Sequence, residues 1–208
     1  MSVAEFLKQR AVDVNVGGSY SLPRWYDCEG RLRTFACRTK RVSPFRMIVD
    51  VPVVGKVGER VTSYFQDFGE FECTITATLK MGFLMELEMT RARRAWMSEK
   101  LTWLAKKQKD ASLAELRHDA RFVPQVSHTF LALADGSTHP CFIIDVSTAG
   151  VAISCEYDPP IGTPLAVGAC VGRVVRKFEN GFAVKFAQKQ QRDDLVRLIV
   201  RSGLKQSA

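Results

Sequence analysis

Five side chains have types and spacing that could do chemistry together: Arg117 and Arg121, four positions apart, and then Asp145, Ser147 and Gly150 within six. Arginine presents a planar fork of donors that grips a phosphate, or the O6/N7 edge of guanine, in two parallel bonds. An aspartate accepts from the N1 and N2 donors on guanine's other edge. A hydroxyl adds a small donor and acceptor, and a glycine lets the backbone turn tightly or approach a ligand closely. The chemistry on offer is recognition of a guanine-bearing anion. Neither half is specific alone, because Arg197 and Arg201 repeat the spacing in a stretch that reads as an ordinary terminal helix with a solvated face.

What sets the first pair apart is its company. It precedes a strand-like segment, and Asp145 follows on a turn between two more. The combination RxxxR followed by [DN]xSxxG is complete here in Arg117-His118-Asp119-Ala120-Arg121 and Asp145-Val146-Ser147-Thr148-Ala149-Gly150. In this it resembles the PilZ domain, the bacterial receptor module for cyclic di-GMP. The resemblance implies that the two arginines contact the guanine and phosphate groups of that ligand, and that Asp145, Ser147 and Gly150, with Val146 among them, cradle a guanine. It also implies that Leu116 touches the ligand and influences whether one or two stacked molecules bind. From its place on a following hairpin, Arg176 is a further basic residue expected to lean over the pocket, and His118 is placed to stack.

The elements that must position these residues are short strands. Val12, Val14 and Val16 alternate before Gly17-Gly18, which reads as a turn, and Leu32 to Arg38 follows as another strand. Glu59 to Phe65, Phe71 to Thr78 and Phe83 to Glu88 keep the period of two between glycine-containing turns, the mark of a small barrel or sandwich. Trp96, Met97, Leu101 and Leu104 then switch to a helical period, and Trp96 and Trp103 are expected to anchor or lid the barrel.

The second half repeats the plan. Phe130 to Ala134, Cys141 to Ile144 and Val151 to Cys155 read as strands. Cys170 to Phe178 and Gly181 to Phe186 answer Phe71 to Leu79 and Gly82 to Leu87, and a closing helix from Asp194 to Arg201 answers the one beginning near Arg91. The expected fold is mainly β: two tandem small PilZ-like β-barrels, each closed by a C-terminal helix, with a degenerate first domain over 1–109 and the motif-bearing domain over 110–208. In the first half Arg41-Val42-Ser43-Pro44-Phe45-Arg46 falls where Asp145 to Gly150 falls in the second. The serine persists, but arginine replaces both aspartate and glycine and no RxxxR precedes, so the first domain is expected to serve as a partner or docking surface.

Composition narrows the function classes. With 46% hydrophobic and 25% charged residues the chain can build ordinary soluble cores. It starts with no secretory leader and no run approaches the roughly 18 apolar residues of a membrane span, so a cytoplasmic location without membrane insertion is expected. The six cysteines sit at irregular intervals with no CxxC pair and read as reduced core residues, with no metal or cofactor implied. The histidines, His118, His128 and His139, lack an elbow, a metal spacing or a phosphate loop, so no catalytic residue is assigned.

The formal charge of +8 concentrates between Arg91 and Lys109, where seven basic residues face one acidic residue, Glu99. That helix is a solvated or ligand-attracting surface, since no aromatic-studded strand or recognition helix accompanies it. Ser112 and Glu115 form a capping-box pattern for a short turn just before Arg117. A dianionic ligand would neutralise the arginines there and reorient the two domains toward a downstream protein partner. The alternatives are a ligand-independent protein-interaction module and, third, a nucleic-acid binder acting through the basic helix.

Overall fold

In the computed structural model of the chain, residues 3–7, 11–110 and 121–200 are described, the last four of the 91–110 helix by backbone alone. The chain forms two compact units that divide between Glu115 and Leu116.

The first unit opens with a short helix, α1 (Val3–Leu7), and a two-residue strand, β1 (Val12–Asp13). Six strands follow: β2 (Gly17–Tyr26), β3 (Leu32–Val42), β4 (Arg46–Asp50), β5 (Arg60–Phe65), β6 (Gly69–Leu79) and β7 (Gly82–Glu88). Antiparallel pairing runs β2-β3-β4-β7-β6-β5 and returns to β2, closing a barrel, with β1 added at the end of β3. Closure removes the open edges that would otherwise template pairing with other chains. Gly17 and Gly18 do not turn the chain, contrary to expectation; they lie inside β2, where a β-carbon on Gly18 would collide with the Tyr64 carbonyl of β5.

Inward residues such as Tyr20, Phe35, Phe65, Phe71 and Phe83 fill this barrel. The buried Tyr20 hydroxyl donates to the Val53 carbonyl at 2.5 Å and accepts from the Val53 amide at 3.2 Å, so it enters the core with both partners met. The helix α2 (Arg91–Asp110) closes the unit with Met97, Leu101 and Leu104, one helical stripe that is fully buried. Trp96 and Trp103 are not its anchors; they are 44% and 50% exposed, because the stripe they share faces away from the barrel. Three basic residues of α2 are engaged with their own unit. Arg93 lies 4.4 Å over the Phe71 ring, Arg94 lies 4.9 Å over Phe45, and Lys100 sits 3.3 Å from Asp67 and 4.9 Å over Trp103.

The second unit repeats the ring strand for strand. β8 (His128–Leu133), β9 (Thr138–Ser147), β10 (Gly150–Cys155), β11 (Pro164–Val167), β12 (Cys170–Phe178) and β13 (Gly181–Phe186) pair as β8-β9-β10-β13-β12-β11 and close on β8. A helix, α3 (Arg192–Ile199), covers one end with Leu195 and Ile199, and the Thr129 hydroxyl donates to the Ile199 carbonyl.

The likeness extends to irregularities. Lys40 in β3 and Ile144 in β9 are the extra residues of bulges at the same register, and so are Thr76 in β6 and Val175 in β12. The ring order, the bulges and the closing helix together make both units mainly β barrels of one design. All six cysteines are free and five are buried. Burial pushes the Cys73 thiol up to about 11 and raises Cys37 and Cys141 as well, so these groups are neutral apolar core members.

Candidate functional site

Two bulges build the site. Val174 and Phe182, Val184 point into the second barrel's core, as do Ile143 and Val146. Strict alternation would turn Asp145 and Arg176 inward too. The extra residues Ile144 and Val175 shift the phase of β9 and β12 by one, and both polar side chains emerge on the outer face. Asp145 therefore lies within a strand and not, as the sequence suggests, on a turn; the turn itself is Thr148-Ala149.

Pairing across four strands then sets a row: Asp145 on β9 opposite Ala152 on β10, Ala152 opposite Ala183 on β13, and Ala183 opposite Arg176 on β12. A second row places Ser147 opposite Gly150 and Gly150 opposite Lys185. Together with Arg121, just ahead of the strand bridge between Phe122 and Val146, these residues line one open cleft of about 230 Å³. That is smaller than a pocket enclosing a drug-sized ligand. A dinucleotide would lie across it with much of its surface outside.

The electrostatics favour an anion. Three cations, Arg121, Arg176 and Lys185, share the cleft with one carboxylate, Asp145. A single Arg121 nitrogen, Nη1, straddles the two Asp145 oxygens at 3.4 and 3.3 Å, beyond the 2.7–2.9 Å of a strong charge-assisted bond. With the side chains 57% and 27% exposed, such a pair contributes at most about 1 kcal/mol. It holds Arg121 near the cleft yet yields to a better partner. Arg176 leans along β12 with its guanidinium 5.8 Å from the Phe178 ring centre.

Gly150 is required for a reason other than left-handed backbone, since its φ lies outside that region. A β-carbon there would collide with the Val184 carbonyl on β13. The Ser147 hydroxyl donates to the Gly150 carbonyl at 3.2 Å and so tightens the hairpin that carries it. In the first unit the Ser43 hydroxyl donates to the Arg46 carbonyl at the same distance, 3.2 Å.

Of the residues expected at the site, Arg121, Asp145, Ser147, Gly150 and Arg176 converge. Val146 does not: it is 1% exposed and packs in the barrel core, because it follows the bulge in the inward phase. Arg117, Leu116 and His118, with the capping pattern of Ser112 and Glu115, lie outside the described residues. Lys185, Ala152 and Ala183 line the cleft without belonging to either motif.

The sequence profile described as "PilZ domain" matches residues 115–201. No curated protein matches the chain. Among solved structures, the chain is similar to the Borreliella burgdorferi PlzA protein in complex with c-di-GMP (9% identity, 94% of each chain covered, TM-score 0.30). It is also similar to a K. pneumonia MrkH complex with c-di-GMP (13%, 88% of this chain and 83% of that one, 0.28) and to Escherichia coli YcgR in complex with c-di-GMP (11%, 89% and 81%, 0.25). At such identities and scores the weight falls on the family match and on the cleft that gathers the motif. Residues 115–201 of this chain match the sequence profile of the PilZ domain.

Proposed function

We propose that the second unit binds cyclic di-GMP and that the chain is a receptor and effector for this second messenger, without a catalytic step of its own. The observation that carries the reading is the cleft. Arg121, Asp145, Ser147 and Gly150 come from separate stretches of sequence, and they line one cationic depression within the segment matched to the family. A dianion carrying guanines answers each feature: phosphate oxygens for the cations, and the N1 and N2 donors for Asp145.

The segment bearing Arg117 starts at the division between the two units. Ligand held by both arginines would fix that segment and reset the orientation of one unit against the other, which a downstream protein partner then reads. The engaged basic residues of α2 fit this role better than a nucleic-acid surface, since Arg93, Arg94 and Lys100 already have partners in the first unit.

Calorimetric titration with cyclic di-GMP tests the reading. Saturable heat is expected with the wild-type protein, and Arg117→Ala with Arg121→Ala should weaken binding more than 100-fold. Absence of heat and of any thermal shift at high micromolar ligand would leave the ligand-independent interaction module in its place.

A further inference from the structure

The two barrels differ most on one outer face, and the difference is residue by residue. In the second unit the row across β9, β10, β13 and β12 reads Asp145, Ala152, Ala183, Arg176. At the matching register the first unit reads Arg41, Ile48, Leu84, Ala77. Its face is covered from within the chain: Phe6 of α1 is wholly buried against Ile48 and Leu84, flanked by Ala77 and Ala11. In the next row Arg46 stands opposite Glu86, 3.6 Å apart, where the second unit has Gly150 opposite Lys185. Two large apolar residues under an aromatic plug thus correspond to two methyl groups in a cleft that the described residues leave open. A glutamate corresponds to a lysine.

We propose that Ala152 and Ala183 form a shelf on which the plane of a ligand purine rests, and that Lys185 on the same face takes a ligand phosphate. All three are specificity-determining residues that lie outside the motif. Side chains at 183 and 185 project from one face of β13, because Val184 between them points into the core. Asp145 and Arg176 end the row on either side of the two alanines, and all four residues line the cleft.

A flat base suits this row, which offers a carboxylate, a guanidinium and two methyl groups on one face. Only alanine or glycine keeps the shelf low enough. The first unit shows what larger residues do at these positions: they fill the space and attract an apolar cover. Lys185 stands beside Gly150, whose bare backbone leaves its ammonium group open to the cleft.

This inference rests on the cyclic di-GMP reading, and a graft from the first unit separates the two. Ala183→Leu and Ala152→Ile install the residues of β7 and β4, and Lys185→Glu installs the charge of Glu86. Titrated with cyclic di-GMP, each is expected to lose at least 30-fold in affinity, while Ala183→Gly and Lys185→Arg stay within about threefold of wild type. The wild-type affinity should fall with added salt, and this dependence should be shallower in Lys185→Glu but unchanged in Ala183→Gly. Lys185 is exposed, so its exchange tests the idea even if a shelf variant melts early. Wild-type binding with Ala183→Leu and Lys185→Glu both within threefold overturns the shelf and the phosphate contact but leaves the receptor reading intact. No wild-type binding overturns both.

Discussion

The two barrels of this chain share a ring order, a pair of bulges and a serine that closes the same hairpin, and they part company on one outer face. The shared features belong to the scaffold. Ser43 makes in the first unit the hydrogen bond that Ser147 makes in the second, although the first cleft is filled, so the serine is first a hairpin residue. What separates the proposed binding face from the covered one is side-chain size at two positions and charge at four more, with α1 laid across the first unit's face.

Substitutions can break or sharpen that contrast. The largest effect is expected at Phe6→Ala, which removes a fully buried ring from the Ile48 and Leu84 cluster and should destabilise the first unit by about 3–5 kcal/mol. Chemical denaturation checks the loss, and cyclic di-GMP affinity should be unaffected. Next comes Gly150→Arg, the residue of the first unit placed in the second. Collision with the Val184 carbonyl and a third guanidinium in the cleft should lower affinity at least 100-fold, about 2.7 kcal/mol, by calorimetry.

Ser147→Ala should cost about 1 kcal/mol in stability, because it removes one hairpin hydrogen bond, and Ser43→Ala more, because its hydroxyl also accepts from the Phe45 and Arg46 amides. A far larger loss of affinity than of stability at Ser147 would show that the serine is more than scaffold. Smallest of all, Arg41→Asp should leave ligand binding within twofold of wild type. It restores the motif carboxylate on a face that Phe6 still covers, while breaking the 2.8 Å bond from Arg41 to Asp13.

Much of this was legible in the sequence, and the failures have physical causes. The doubled plan of short strands and a helix showed through the period of two and the glycine turns, and the ring pairing bears it out. Both motifs and Arg176 were singled out from residue type and spacing; Arg121, Asp145, Ser147, Gly150 and Arg176 line one cleft, while Arg117 lies outside the described residues. Bulges defeated the placement of Asp145: an extra residue breaks alternation, and broken alternation reads as a turn. Gly17 and Gly18 misled for the converse reason, since a glycine demanded by a neighbouring strand's carbonyl looks like one demanded by a turn.

Ala152, Ala183 and Lys185 left no signal of their own, because a small residue becomes informative only when the strand opposite is known. Trp96 and Trp103 were assigned by size, whereas Met97, Leu101 and Leu104 own the buried stripe. One signal did exist for the plug. Ser2-Val3-Ala4-Glu5-Phe6 is repeated with conservative changes by Ser112-Leu113-Ala114-Glu115-Leu116 just ahead of the arginines, which points to α1 as the first unit's version of the segment leading into the site.

Phe6 has a consequence for how the two halves respond to their surroundings. It is tethered to the face it covers by the few residues between Leu7 and Val12, so its effective concentration there is about millimolar or higher and does not vary with conditions. A diffusible ligand stabilises its domain by mass action, about 2.7 kcal/mol at 100 times the dissociation constant and nothing when absent. Under the proposed function, half of this chain thus has a melting point set at synthesis, and the other half has one that tracks the messenger pool.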